Sequence, residues 1–203
     1  MAAPLADAFG RVRVLQSICI LCLVGAILQS ASVHIAMFLI GRLVTGMGSG
    51  MFGTVVPLYQ SEVAPPGTRG RMVGCHGAFI SAGYMSSAWG GYGCYFANDP
   101  QMAWRLLLAL QVIGPLLLLV ASPKVPESPR WLISRDQFQR AEQVLLQIHA
   151  SPSRDDTIHS LASAELVQIR QQIEVEKRNS MSFLKMLRTP SYRRRLIIAT
   201  GTQ

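Results

Sequence analysis

The sequence predicts an all-α, polytopic membrane protein with four complete transmembrane helices followed by amphipathic helices, and three observations predict it. Four windows are long and apolar enough to cross a bilayer: 14–33, 35–60, 72–98 and 106–123, of which only the second carries a charge, Arg42. Lys and Arg alternate between the connections. Arg11 and Arg13 precede the first window, Arg69 and Arg71 follow the second, and thirteen more follow Ser122, whereas the connections in between hold only Arg105. Finally, Gly46, Gly48, Gly50 and Gly53 crowd the second window. Each would cost about 1 kcal/mol in a water-exposed helix, whereas in a membrane small residues let helix backbones approach closely.

Composition bears on the alternatives. The 203 residues carry a formal net charge of +8, which by itself would suit nucleic acid. Its alternation along the chain is instead the positive-inside pattern, which argues against nucleic acid and puts residues 1–13, the Glu62 to Arg71 loop and the tail from 124 onward in the cytoplasm. Cys19 and Cys22 have C-x-x-C spacing, but no second pair or histidine cluster completes a zinc site, so all four cysteines read as small buried hydrophobes. No cofactor or metal is expected.

Residues 1–13 read as a short polar loop bearing Asp7, Arg11 and Arg13. The helix 14–33 has few polar groups, and a link of at most four residues around His34 makes the next helix its antiparallel neighbour. In 35–60, Arg42 marks a bundle interior or a wet route, with snorkelling to the interface as the plainer alternative. Pro57 removes a backbone donor within it, and Pro65, Pro66 and Gly67 force a tight turn after it. The helix 72–98 is rich in Gly, Ser and Ala, with Trp89, Tyr92, Tyr95 and Phe96 as an interfacial aromatic belt. On it His76, Ile80 and Tyr84, and likewise Gly77 with Tyr84, share a face, and such a mixture of polar and aromatic groups suits a sugar. Gln111 and Pro115 are the irregularities of 106–123.

Residues 124–192 change character. Phe138, Ala141, Leu145 and Ile148 recur at helical spacing, as do Ala162, Leu166, Ile169 and Ile173, with a third short helix around Phe183 to Leu187. Arg193, Arg194 and Arg195 then precede an apolar run that opens a further span over 193–203.

Three strings carry a resemblance. The string PLADAFGRVR at the start is similar to the loop motif of the major facilitator superfamily, with Ala8 and Val12 where basic residues are usual. R-x-x-x-G-x-G-x-G with P-x-Y-x-x-E-x-x-P and R-G, from Arg42 to Gly70, resembles the fourth-helix signature of its sugar porter family. PESPRWLI, from Pro126 to Ile133, resembles the motif after the sixth helix and is the most specific of the three. The resemblance, to the fungal type, implies part of a major facilitator fold that moves a mono- or disaccharide by alternating access, with proton coupling left open. It implies an inner charge network of Asp7, Arg11, Arg13, Glu62, Arg69, Glu127 and Arg130, with Arg42 as a coupling or structural residue.

On the helix 72–98 the family's sugar-binding glutamine falls on Gly77, so either His76 or Tyr84 compensates or the substrate is not an ordinary hexose, with Ile80 on the same face; Gln203 aligns with the first of several glutamines on the seventh helix. The resemblance further implies that 124–192 is the cytoplasmic helical linker and that the first helix and the C-terminal half are missing. The chain alone is then expected to transport little or nothing. Its expected partners are a sugar, a proton where coupling exists, the lipid bilayer and the absent half, in the plasma membrane. A transporter-like sugar sensor and a four-span membrane enzyme are the other two classes. The enzyme lacks a catalytic constellation, since His34, His76, His149 and His159 are scattered.

Overall fold

The computed structural model describes residues 2–65, 67–96, 100–149 and 165–175, all helical or in short connections. Helix α1 spans Ala2–Phe9. Residues 2–9 therefore form a helix where a polar loop is expected: Ala2, Ala3, Ala6 and Ala8 are strong helix formers. Gly10, at φ 98°, breaks the chain before α2, Arg11–Ser30. Helix α3, Ile35–Val63, runs back antiparallel and keeps Pro57 within it, and α4 covers Arg69–Tyr95.

The fourth predicted helix is divided into α5, Pro100–Leu110, and α6, Ile113–Ala121. The break has a cause: Pro115 has no N–H to donate to the Gln111 carbonyl, and the Val112 N–H turns to Ala109 instead at 3.0 Å. A 3₁₀ turn, Ser122–Lys124, leads to α7, Pro129–Ser134, and α8, Phe138–His149. A ninth helix, α9, occupies residues 165–175. Residues 150–164, with Ala162, and 176–203, where the sequence predicts a helix near Phe183, a span from 193 and the role of Gln203, lie outside the described residues.

Helix α2 is the hub, packing against α3 most extensively and then against α6, α5 and α1. Val14, Leu15, Ile18 and Cys22 meet Val55 of α3 in one core. The closest backbone approach is at Gly25 and Gly41. A Cβ on Gly25 would overlap Thr45 Oγ1 and lie 2.8 Å from the Thr45 nitrogen, and one on Gly41 would lie 3.0 Å from the Gln29 nitrogen. Of the glycine row, only Gly48 packs, against Cys22 Sγ. Gly46, Gly50 and Gly53 face open space among the described residues, because two-residue steps send alternate positions to different sides of a helix. Gln29, fully buried, clamps the approach by donating to Thr45 Oγ1 at 2.6 Å and to the Gly41 carbonyl at 3.3 Å. Between membrane helices such bonds and close contacts replace the hydrophobic effect, since lipid tails are as apolar as leucine.

A second core lies outside this bundle. Leu132 and Ile133 of α7, Ala141 of α8 and Ile173 of α9 are buried together, with Trp131, Phe138, Leu166 and Ile169 against them. The two helical periodicities of 124–192 thus define one packing surface.

Three described helical segments are long and apolar enough to cross a membrane: Arg11–Ser30, Ile35–Val63 and Met102–Lys124. Helix α4 matches them in length with 27 residues but not in hydropathy, because Gly, Ser and Tyr replace its aliphatic residues. Cys19, Cys22 and Cys94 are buried as expected, whereas Cys75 is exposed.

Candidate functional site

Four of the charged residues that the sequence singles out, Asp7, Arg11, Glu62 and Glu127, converge where α1 ends, α2 begins, α3 ends and α7 begins. Arg11 is the centre, with its side chain only 7% exposed. Its guanidinium donates from Nε to Glu62 Oε2 at 2.9 Å and from Nη2 to Glu62 Oε1 at 2.8 Å, a two-pronged pair in which Glu62 is also buried. Asp7 Oδ1 lies 2.9 Å from the same Nη2 but is largely solvent-exposed, and Arg11 Nη1 donates to the Ala6 carbonyl at 3.1 Å.

An arginine as the first residue of a helix opposes the helix dipole, which favours anions there. Glu127 offsets this: its Oε1 accepts the backbone N–H groups of Arg11 at 2.7 Å and of Val12 at 3.1 Å. A carboxylate from a distant part of the chain thus caps α2 and satisfies two of its free donors.

Gly10 makes room for that cap. A Cβ there would stand 3.0 Å from Glu127 Oε2, and the backbone is in the left-handed region. Ser128, wholly buried, donates from Oγ to Glu62 Oε2 at 2.6 Å and caps α7 by accepting the Trp131 N–H at 3.4 Å. Trp131 Nε1 donates to the Asp7 carbonyl at 3.0 Å, and Arg135 Nη2 to the Ala8 carbonyl at 2.6 Å. Tyr59 closes the ring by donating to the Pro126 carbonyl at 2.7 Å. Four segments are therefore tied by charge-assisted bonds, which are about twice as strong as neutral ones. Such a knot can hold or release whole helices; among the described residues no group of His, Cys, Asp and Glu is arranged to bind a metal.

The structure brings together Asp7, Arg11, Glu62 and Glu127 and separates others. Arg13 is exposed and makes no ion pair with a described residue. Arg42 is also exposed, twenty residues before Glu62 on the same helix and so about 30 Å away at 1.5 Å per residue. It belongs to no common cluster with Glu62. Arg69 opens α4, and its side chain lies outside the described residues; Arg130 is half-buried on α7. His76 is half-buried on α4, while Gly77, Ile80 and Tyr84 are exposed along the same face. Ser128, Arg135 and Gly10 are the residues that sequence reasoning missed. Ser128 had a signal, since serine before a proline is the usual start of a short helix. The other two had none, because their partners are more than a hundred residues away.

Comparison with known proteins places this geometry in context. The family described as sugar (and other) transporter matches residues 1–203. The MFS-type transporter criB of Aspergillus cristatus is 39% identical over 202 residues, covering 98% of this chain and 42% of that protein. A high-affinity glucose transporter of Kluyveromyces lactis is 35% identical over 170 residues, 84% of this chain and 30% of its own length. Among solved structures, the proton:xylose symporter XylE of E. coli, bound to 6-bromo-6-deoxy-D-glucose, superposes with a TM-score of 0.77 at 25% identity. That match covers 85% of this chain and 39% of that one. The chain thus spans less than half the length of each of these proteins, all of which are transporters.

Proposed function

Because the chain belongs to the sugar transporter family, with the all-helical fold of the major facilitator carriers, we propose that it forms part of a carrier that moves a mono- or disaccharide across a membrane by alternating access. The observation that carries this reading is the buried Arg11–Glu62 pair with Glu127 on the start of α2. A carrier that rocks between two states needs a contact that is strong when made and separable as a unit. A cluster joining α1, α2, α3 and α7 is such a contact, and it serves as the inner latch. In this reading Asp7, Arg11, Glu62 and Glu127 hold it, Arg69 and Arg130 extend it, and Arg13 stands beside it.

The sugar lies against the exposed face of α4 that bears His76, Gly77, Ile80 and Tyr84, with Gln203 contributing from beyond. Arg42, exposed on α3, faces the same route and is the residue through which a proton would be coupled. The end carrying α1, α7 and α8 faces the cytoplasm, in accord with the distribution of basic residues, and the plasma membrane is the proposed location. The chain works with a second half that completes the cavity.

Uptake of labelled xylose and glucose into proteoliposomes tests this. The expected result is negligible uptake by the chain alone and saturable uptake once a C-terminal half from a close relative is co-reconstituted. Saturable uptake by the chain alone would overturn the need for a second half, and absence of sugar binding in the paired form would overturn the carrier reading.

A further inference from the structure

Arg13 is left over by the latch. It stands two residues after Arg11 on the first turn of α2, exposed and in no ion pair with a described residue. It lines a cavity of about 430 Å³ between the start of α2 and helices α7 and α8, together with Arg140, Trp131, Gln143 and Gln147.

Helix α8 makes one side of that cavity by design of its sequence. Arg140, Gln143, Val144 and Gln147 fall within one arc of the helix, about a third of a turn from the buried arc of Ala141 and Leu145, with Val144 also packed against the core. The cavity therefore presents two guanidinium forks and the amides of Gln137, Gln143 and Gln147, over an apolar floor of Leu132 and Trp131. Among the described lining residues the one acid, Glu127, accepts at Oε1 from the backbone N–H groups of Arg11 and Val12, so it lowers but does not cancel the positive charge of the two guanidinium groups. Among the described residues Arg140 makes one long bond, from Nη1 to Gln137 Oε1 at 3.4 Å.

From this geometry we propose that the cavity binds a terminal, monoester phosphate group, carried by a soluble phosphate ester or by a phosphoinositide headgroup. Guanidinium forks match phosphate oxygens in pairs, a monoester phosphate of about −1.5 to −2 is attracted by the net positive charge that Arg13 and Arg140 leave beside Glu127, and amide N–H groups supply the remaining donors. Bound there, the phosphate bridges α2, two residues from Arg11 of the latch, to α8 of the second core. It therefore stabilises the latched arrangement. Only the cytosolic origin of the ligand rests on the orientation proposed above.

The test uses the full chain with Trp89→Phe and Trp104→Phe, so that Trp131 is the single tryptophan in a chain that has three. In nanodiscs of phosphatidylcholine, its emission is followed while inorganic phosphate or glucose 6-phosphate is added, with chloride at matched ionic strength as control. In a second arm, part of the lipid is replaced by phosphatidylinositol phosphate and no soluble phosphate is added. The expected result is a saturable change in at least one arm, weakened about tenfold or more by Arg13→Gln and by Arg140→Gln. Arg170→Gln, on α9, leaves it unchanged. The responding arm identifies the carrier of the phosphate. No change in either arm, or a change that tracks chloride, fails to saturate, or survives both substitutions, would overturn the proposal, and none of these readings depends on sugar transport.

Discussion

Arg11 and Glu62 are both buried, so the cost of breaking their pair exceeds what the pair contributes net. Removing one partner strands a charge, at about 3–5 kcal/mol, whereas replacing both by apolar residues of similar volume is often neutral. Glu62→Ala should therefore lower thermal stability in detergent sharply, and Arg11→Met combined with Glu62→Leu should recover most of the loss. Equal melting of Glu62→Ala and the parent would mean that the cluster is not formed.

Glycines divide in the same way according to what surrounds them. Gly10→Ala meets both a positive φ and Glu127 Oε2 at 3.0 Å, and should cost at least about 1 kcal/mol. Gly46→Ala meets nothing within 4 Å and should be neutral or stabilising by up to about 1 kcal/mol in this chain, since alanine is the better helix former. Melting curves of the two variants side by side decide this. The two glycines cannot be told apart by composition or spacing; only the neighbours differ.

At the level of elements, two packing problems are solved by different physics. Helices α2 and α3 meet through Gly25, Gly41 and the Gln29 clamp, where apolar burial offers little because the surrounding lipid is equally apolar. Gly25→Ala should force the two helices apart at the Thr45 backbone and lower the melting temperature. Helices α7, α8 and α9 have no such constraint and join through aliphatic side chains. Leu145, 2% exposed, should cost about 2–5 kcal/mol as Leu145→Ala. The effect should stay local: faster hydrogen exchange over residues 129–149 and 165–175, with residues 11–63 unchanged. Spread of the change into α2 and α3 would show that the two cores are one cooperative unit.

Elements were legible from sequence wherever one period ran long enough. The windows 35–60 and 72–98 match α3 and α4 to within three residues at each end, Phe138 and Ala141 do pack in one core, and Leu145 is buried. What pattern could not show was the start of the chain and the interruption near Gln111. A polar, alanine-rich stretch looks like a loop until its capping partners are known. A proline in a long apolar run can kink or divide a helix, depending on where the freed carbonyl turns.

For the whole molecule, the sequence by itself determined the membrane class, the order of the helices and the family, because hydropathy, charge alternation and short motifs are written in contiguous residues. It also named Arg11, Glu62 and Glu127, but only as a set. The tertiary structure decided which of the named charges meet, that Arg13 and Arg42 stand apart from them, and that Gly25 and Gly41 rather than the glycine row bring α2 and α3 together. The reason is physical: hydrogen bonds and close packing act over about 3 Å, and residues that meet at that distance here are separated by fifty to more than a hundred positions along the chain. Only folding brings them within range.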